Sequence, residues 1–376
     1  MPRLLHLGSF LLLLPACMLA PGAAAQRAGQ SGNVVLIVTD GLRWQEVFRG
    51  ADSSLANRRW GGVEDTVAFR REFIRADPRS ARETLLPFIW NVIGRDGQLI
   101  GDSAAGSVAT VTNGLKFSYP GYSEMITGHA DPRIDRNDAP PNPNLTVFEW
   151  LERRPGLRGR VAVFGTWDAF PRIFNRERSG LPIRAAWETP FPAGPDPAES
   201  TINRFYATTT RLWGDLAYDG FMQAAVLQYV RKHRPRVLFV GYGETDEWAH
   251  SRRYDQTLTS AHRVDAFIAE LWRTMQAIPQ YRGHTTFIIT TDHGRGGTPT
   301  DWTDHGRDVA GAENIWIAVL GPDTPAGGER RQTAPVTQSQ IAATVAAALG
   351  LDYPAAEPAA APPIPGALIA PLAAGR

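Results

Sequence analysis

Val34-Val35-Leu36-Ile37-Val38-Thr39-Asp40-Gly41 decides the fold class. Five successive apolar residues, mostly β-branched, followed by a Thr-Asp-Gly turn, read as a strand buried on both faces. The pattern recurs. Val161 to Phe164 ends at Gly165-Thr166, and Val237 to Val240 ends at Gly241-Tyr242-Gly243. Thr285 to Ile289 ends at Thr290-Thr291-Asp292, and Ile315 to Leu320 ends at Gly321-Pro322. Helical patterns lie between them at 84–93, 146–152, 221–232, 257–278 and 338–349. Strands alternating with helices predict an α/β fold with a mostly parallel central sheet and helices on both faces. Ligands of such sheets gather at the carboxyl ends of the strands.

Three other segments depart from this rhythm. Residues 1–25 read as an export signal: a charged start at Arg3, a short apolar run from Leu4 to Leu14, and Ala23-Ala24-Ala25 as a cleavage site. The run is too short to span a membrane. Cys17, the sole cysteine, lies in this segment and offers a possible lipid-anchor site, although Pro15 fits a lipoprotein box poorly. Cleavage after Ala25 leaves a chain without disulfides, which suits a bacterial envelope, periplasmic or secreted. Residues 168–215, rich in Pro, Arg and aromatics, predict a cap inserted into a domain spanning 26–353, and the Ala/Pro/Gly-rich 354–376 predicts a disordered tail. With 39 basic and 38 acidic residues, the chain carries no charge excess that would suit a nucleic-acid polymer or an acidic membrane. Lysine is rare, occurring only at Lys116 and Lys232.

The strand ends collect metal-ligand residue types. Asp40 follows the first strand, Asp246 and His250 the strand at 237–240, and Asp292 and His293 the strand at 285–289; His305 comes soon after. Each alone has an ordinary explanation. An Asp after a strand commonly caps a helix, and an Asp-x-x-x-His pair on a helix can simply share a hydrogen bond. Six such residues at one end of one sheet point to divalent metal. Carboxylate with imidazole suits zinc, while manganese or iron would tolerate the same set. The clustered carboxylates need a counter-charge, which two dications supply.

In this order the motifs resemble the alkaline phosphatase superfamily, and most closely its nucleotide pyrophosphatase/phosphodiesterase branch. Val38-Thr39-Asp40-Gly41-Leu42-Arg43 is similar to that branch's opening motif. The segment from Ser118-Tyr119-Pro120-Gly121 to Thr127-Gly128 is similar to its nucleophile segment, with Ser118 in place of the usual Thr. The resemblance covers about Asn33 to Leu351 and implies an alkaline-phosphatase-like fold with two bound divalent metals. One would be held by Asp246, His250 and His305, the other by Asp40, Asp292, His293 and the Ser118 oxygen. It implies a hydrolase of small-molecule phosphate esters acting through a phosphoseryl intermediate. Gly121 stands where related enzymes often carry an Asn contacting phosphate. Lys116 and, more weakly, Asn113 are substitutes for that contact. If 116–118 are extended, Lys116 and Ser118 face one side.

Alternatives remain open on the sequence. Asp102-Ser103-Ala104-Ala105 resembles the nucleophile segment of the alkaline phosphatases themselves, which makes Ser103 a rival to Ser118. A sulfatase of the same fold is a second reading, and Pro120 fits its motif, but Tyr122 occupies the place of its Arg. A non-catalytic metal-binding protein is a third. Phosphoglycerate mutases share the metal set but act in the cytoplasm, and headgroup transferases usually carry several membrane spans. Trp167, Phe170 and Phe174 could stack on a substrate ring or pack as ordinary core.

Overall fold

The computed structural model describes residues 31–369. Ten strands occur among these: β1 (Asn33–Thr39), β2 (Gln98–Ile100), β3 (Ala109–Thr110), β4 (Val161–Gly165), β5 (Ile183–Ala185), β6 (Val237–Tyr242), β7 (Thr285–Thr291), β8 (Ile317–Leu320), β9 (Gly328–Glu329) and β10 (Val336–Thr337). Eight form one sheet in the order β5-β4-β6-β1-β7-β8-β2-β9, and β10 pairs with β3 apart from it. The five strands from β5 to β7 run parallel, while β8 is antiparallel to both β7 and β2.

The alternation of strand side chains explains why β1 is apolar from Val34 to Val38. Val35 and Ile37 enter one core, and Val34, Leu36 and Val38 enter the other. On the first face lie the helices Asp219–His233 and Tyr254–Gln276, through residues such as Val226, Val230, Leu258 and Ile268. On the second lie Ser118–Thr127, Val147–Glu152 and Gln340–Ala347, through Tyr119, Met125, Phe148 and Ile341. A sheet covered on both faces is what continuous apolar strands require.

Three expectations need correction. The helix expected at 84–93 is broken: an α-helix runs Pro78–Leu85, and a π-helical turn follows at Ile89–Ile93. Pro87 turns Leu86 away from helical geometry, and the buried Asp265 carboxylate then accepts from Phe88 N at 2.7 Å and Ile89 N at 2.9 Å.

Segment 168–215 is not only an excursion over the sheet, because it contributes the edge strand β5, paired with β4. Within it, Phe170 and Phe174 are buried against Phe239, with centroids at 5.4 and 4.9 Å. They pack the core and are not free to stack on a ligand.

The expected tail is placed as far as residue 369. Ala360, Ile364 and Ala367 are buried in the second core, and Ile364 N donates to Thr344 Oγ1 at 2.9 Å. Small apolar residues spaced between prolines fit a narrow groove, and the prolines lower the entropy lost on docking. The export signal, Cys17 and residues 370–376 lie outside the described residues.

Asp265→Ala removes the carboxylate that accepts at the Pro87 break and strands two buried N–H groups. The expected cost is about 1–3 kcal/mol, read as a lower thermal midpoint. An unchanged midpoint would show that other groups satisfy those donors.

Candidate metal centre and nucleophile

Register brings the site together. Thr39 pairs with Tyr242 of β6 and with Thr291 of β7, so the three strands end abreast. Asp40 follows the first, the helix Glu244–His250 follows the second, and Asp292-His293 follows the third. Gly41 is required at the first turn. Its φ is +58°, and a Cβ would lie 2.7 Å from Asp246 Oδ1 and 2.8 Å from Arg295 Nε.

Two groups of three residues could each hold a metal ion: Asp246, His250 and His305, and Asp40, Asp292 and His293. Within each group the ligand atoms lie within 4.8 Å of one another. In the first, His250 Nε2 is 3.0 Å from Asp246 Oδ2 and 3.0 Å from His305 Nε2. In the second, His293 Nε2 is 3.3 Å from Asp40 Oδ1 and 3.5 Å from Asp292 Oδ2. The groups adjoin, since His293 Nε2 is also 3.8 Å from Asp246 Oδ1.

Outer contacts aim these atoms. His293 Nδ1 donates to Gly294 O at 2.9 Å, and His305 Nδ1 lies 3.3 Å from Lys116 O. Both contacts turn Nε2 toward the cluster. Tyr122 donates to Asp40 Oδ2 at 3.1 Å, and Gln338 Nε2 donates to Asp292 O at 2.7 Å.

The donor set fits metal on an observation independent of its residue types. Asp40 Oδ1 and Asp292 Oδ2 are buried with no hydrogen bond beyond their contacts with the one His293 imidazole, at 3.3 and 3.5 Å. Two buried carboxylates sharing one imidazole remain costly unless a further cation joins them. Burial, and then the neighbouring Asp40 charge, hold the Asp292 pKa well above the ordinary carboxylate range.

Ser118 opens the helix Ser118–Thr127, and its Oγ lies 3.4 Å from His293 Nε2. Both Ser118 and Asp40 line a cavity of about 240 Å³ together with Asp246, His250 and His305. Ser103 does not line it; its loop is tied elsewhere by the Asp102–Arg49 ion pair at 3.0 Å.

The expectation for Lys116 and Asn113 is corrected. Lys116 has φ +58°, so 116–118 is not extended, and its ammonium pairs with Glu313 at 3.0 Å. Asn113 accepts from Leu115 N and Lys116 N and donates to Glu124, which fixes the loop. Neither side chain lines the cavity. Gly121 also acquires a packing reason: a Cβ there would sit 2.4 Å from Asp292 O.

Residues that the sequence did not flag complete the cavity, among them Asn137, Asp215, Leu216 and Glu247, while Trp167, named from the sequence as able to stack on a substrate ring, lines it as well. Asn137 and Asp215 lie in loops without periodic pattern. Glu247 directly follows Asp246, so the helical spacing there could have drawn attention to it. Arg295, two residues after His293, is buried and contacts Asp246 and Thr303 O.

Burial opposes charge on His293, but the Asp292 and Asp40 carboxylates overcome it and lift its pKa to about 9. In metal-free protein a proton therefore occupies this imidazole at neutral pH, where a metal needs the lone pair. Metal uptake near neutrality is expected to release a proton, and apparent affinity should rise as the pH approaches about 9. Calorimetry in buffers of differing ionisation enthalpy measures the release. Affinity that is flat across this range would contradict the assignment of His293 as a ligand.

The family model of the Metalloenzyme superfamily matches residues 200–353. No curated protein matches the sequence. Among solved structures, murine ectonucleotide pyrophosphatase/phosphodiesterase 5, an inactive variant in complex with AMP, aligns at 10% identity and TM-score 0.50, over 85% of this chain and 96% of that one. The structure of Ps i-CgsB aligns at 15% identity and TM-score 0.50, over 88% of this chain and 75% of that one. Phosphonate monoester hydrolase from Silicibacter pomeroyi aligns at 15% identity and TM-score 0.49, over 92% and 78%. At these identities the likeness is one of fold. The Metalloenzyme superfamily model matches the C-terminal half of the chain, and the fold of the whole is similar to that of these solved structures.

Proposed function

We propose that the chain is an exported hydrolase of phosphate esters that uses two divalent metals, zinc by ligand chemistry, and Ser118 as nucleophile. The observation that carries this reading is the Ser118 hydroxyl, 3.4 Å from His293 Nε2 at the junction of two ligand triads. One triad would be Asp246, His250 and His305, and the other Asp40, Asp292 and His293. When bound, such a pair of metals supplies Lewis acidity that lowers the pKa of a coordinated hydroxyl and offsets charge on phosphoryl oxygens.

The protein's own groups do the rest. Ser118 is the first residue of a ten-residue helix whose positive end favours an anionic group beside it. Asn137 accepts from Tyr119 N at 3.0 Å through Oδ1, which leaves its Nδ2 able to donate to a phosphoryl oxygen in the cavity. Ser118 Oγ forms the bond to phosphorus as the ester's P–O bond breaks. The alcohol departs with a proton equivalent to the one the serine loses. Water then attacks the phosphoseryl group and restores the hydroxyl, releasing phosphate from a monoester or the remaining phosphomonoester from a diester. The export part of the reading rests on residues 1–25 alone.

The phosphate reading is preferred to sulfate because Tyr122, in the place of the sulfatase Arg, is spent inside the protein. Its hydroxyl is bonded to Asp40 and its ring packs on Phe170 at 5.0 Å.

Zinc-loaded protein should turn over bis-p-nitrophenyl phosphate or p-nitrophenyl phosphate faster than p-nitrophenyl sulfate. Ser118→Ala should lower kcat at least about 100-fold, or roughly 3 kcal/mol of barrier. Undiminished turnover would remove Ser118 from the reaction, and faster sulfate hydrolysis would replace the phosphate assignment. Stoichiometric metal without turnover of any ester would favour a binding protein. Chelation should abolish turnover and lower the thermal midpoint, because a ligand bound only to the native state stabilises it.

A further inference from the structure

We propose that Glu124 is a positioning residue of the site: its buried carboxylate sets the shape of the loop 112–117, and through it the places of the Ser118 hydroxyl and the His305 imidazole. This deepens the hydrolase reading above and rests on it for the role of Ser118.

Glu124 lies in the helix that Ser118 opens and is fully buried. Both of its oxygens accept from neutral groups. Thr112 Oγ1 and Ser339 Oγ donate to Oε1 at 2.7 Å each. Thr112 N, Asn113 N and Asn113 Nδ2 donate to Oε2 at 2.9 Å each. A carboxylate buried without a counter-ion is costly, and what this one secures is the loop before the nucleophile.

From Glu124 the bonds run outward in sequence. Asn113, oriented by its Nδ2 bond, accepts through Oδ1 from Leu115 N at 2.8 Å and Lys116 N at 2.9 Å. Lys116 is held at φ +58°, a left-handed conformation that a side chain disfavours. In that conformation its carbonyl oxygen lies 3.3 Å from His305 Nδ1. Its ammonium is anchored on Glu313 and on Val309 O, which holds the same residue from its other end. Ser118 follows after Phe117, and its helix has no side-chain cap at the start. The loop therefore fixes where that helix begins.

This relay ends on one triad. His305 belongs with Asp246 and His250. In the other triad, Gln338 Nε2 holds Asp292 O and Gly294 O holds the His293 ring. Ser339 adjoins Gln338, but the pairing of β10 with β3 and the bond from Gln338 N to Thr110 O, at 2.8 Å, keep that backbone in place without Glu124.

The test uses the full chain and reads zinc binding first. Metal-free protein is titrated with zinc against a chromophoric chelator, and His305→Ala identifies the site that contains this imidazole. Glu124→Met roughly keeps the side-chain length and removes both acceptors. It is expected to weaken the His305 site at least about tenfold, the usual scale for loss of a group that orients a ligand, and to leave the other site within about threefold. Glu124→Gln should restore the wild-type pattern. Its oxygen can take the place of Oε2 while its amide donates to the Thr112 and Ser339 hydroxyls, which can turn to accept. Asn113→Ala, at a half-buried position, breaks the next link and should reproduce the selective loss even where the methionine variant does not fold. Equal weakening of both sites, or no weakening in folded variants, overturns the proposal, as does a glutamine variant no better than methionine.

Turnover of bis-p-nitrophenyl phosphate at saturating zinc gives a second reading. In the methionine and Asn113 variants kcat should fall at least about tenfold while KM stays within about threefold, the mark of a displaced nucleophile rather than lost substrate binding. An unchanged kcat would overturn the proposal for Ser118. Selective zinc loss in a protein that hydrolyses no ester upholds the positioning of His305 and sinks the hydrolase reading. Turnover that requires Ser118, with no selective zinc loss in the variants, sinks the positioning alone.

Discussion

The rest of the structure depends on the in-register parallel pairing of β6, β1 and β7. Thr39, Tyr242 and Thr291 lie side by side, so the residues after them emerge at one level. A slip of one residue would reverse every side chain across the sheet. Val34, Leu36 and Val38 would then leave the core that Phe239 and Ile288 share with them. Register is thus paid for by apolar burial on both faces, and the convergence of Asp40, Asp246 and Asp292 follows from it. The hydrophobic core fixes the spacing of groups that, left to themselves, would repel one another.

That dependence explains what the sequence made legible. Strand positions were readable because β-branched runs buried on both faces leave an unbroken apolar signal, and the turns after them named the ligands. The six candidate ligands fall into two compact groups because each sits within a few residues of a strand end, except His305. Interactions between distant segments were not readable. Lys116 looked free in sequence, yet Glu313, far along the chain, takes its ammonium. The break at Pro87 needed Asp265 to accept its freed N–H groups. The alanines and prolines after 354 suggested disorder because composition says nothing of the groove beside Gly128 and Thr344 that receives them. Asn137 and Asp215 reach the cavity through loops, where no periodicity points inward.

His305 is the ligand that the strand argument leaves unsupported, since it lies in a loop well past β7. The loop is clamped instead by buried polar contacts. Arg43 donates to Gly296 O at 2.9 Å while paired with Glu46, and Glu46 is held in turn by the Tyr254 hydroxyl at 2.9 Å. Arg295 reaches Thr303 O, and Trp302 Nε1 donates to Trp60 O at 2.9 Å. Lys116 O meets the His305 ring itself. Two buried guanidiniums thus secure a loop that backbone pairing alone would leave free, and one of them, Arg295, also touches the ligand Asp246. The same cation orients a carboxylate of the first triad and holds the loop bearing its second imidazole. The triad is therefore positioned as a unit, because any shift of Arg295 would move both at once. This coupling lets a loop residue share a metal site with a helix residue whose place is set by the sheet.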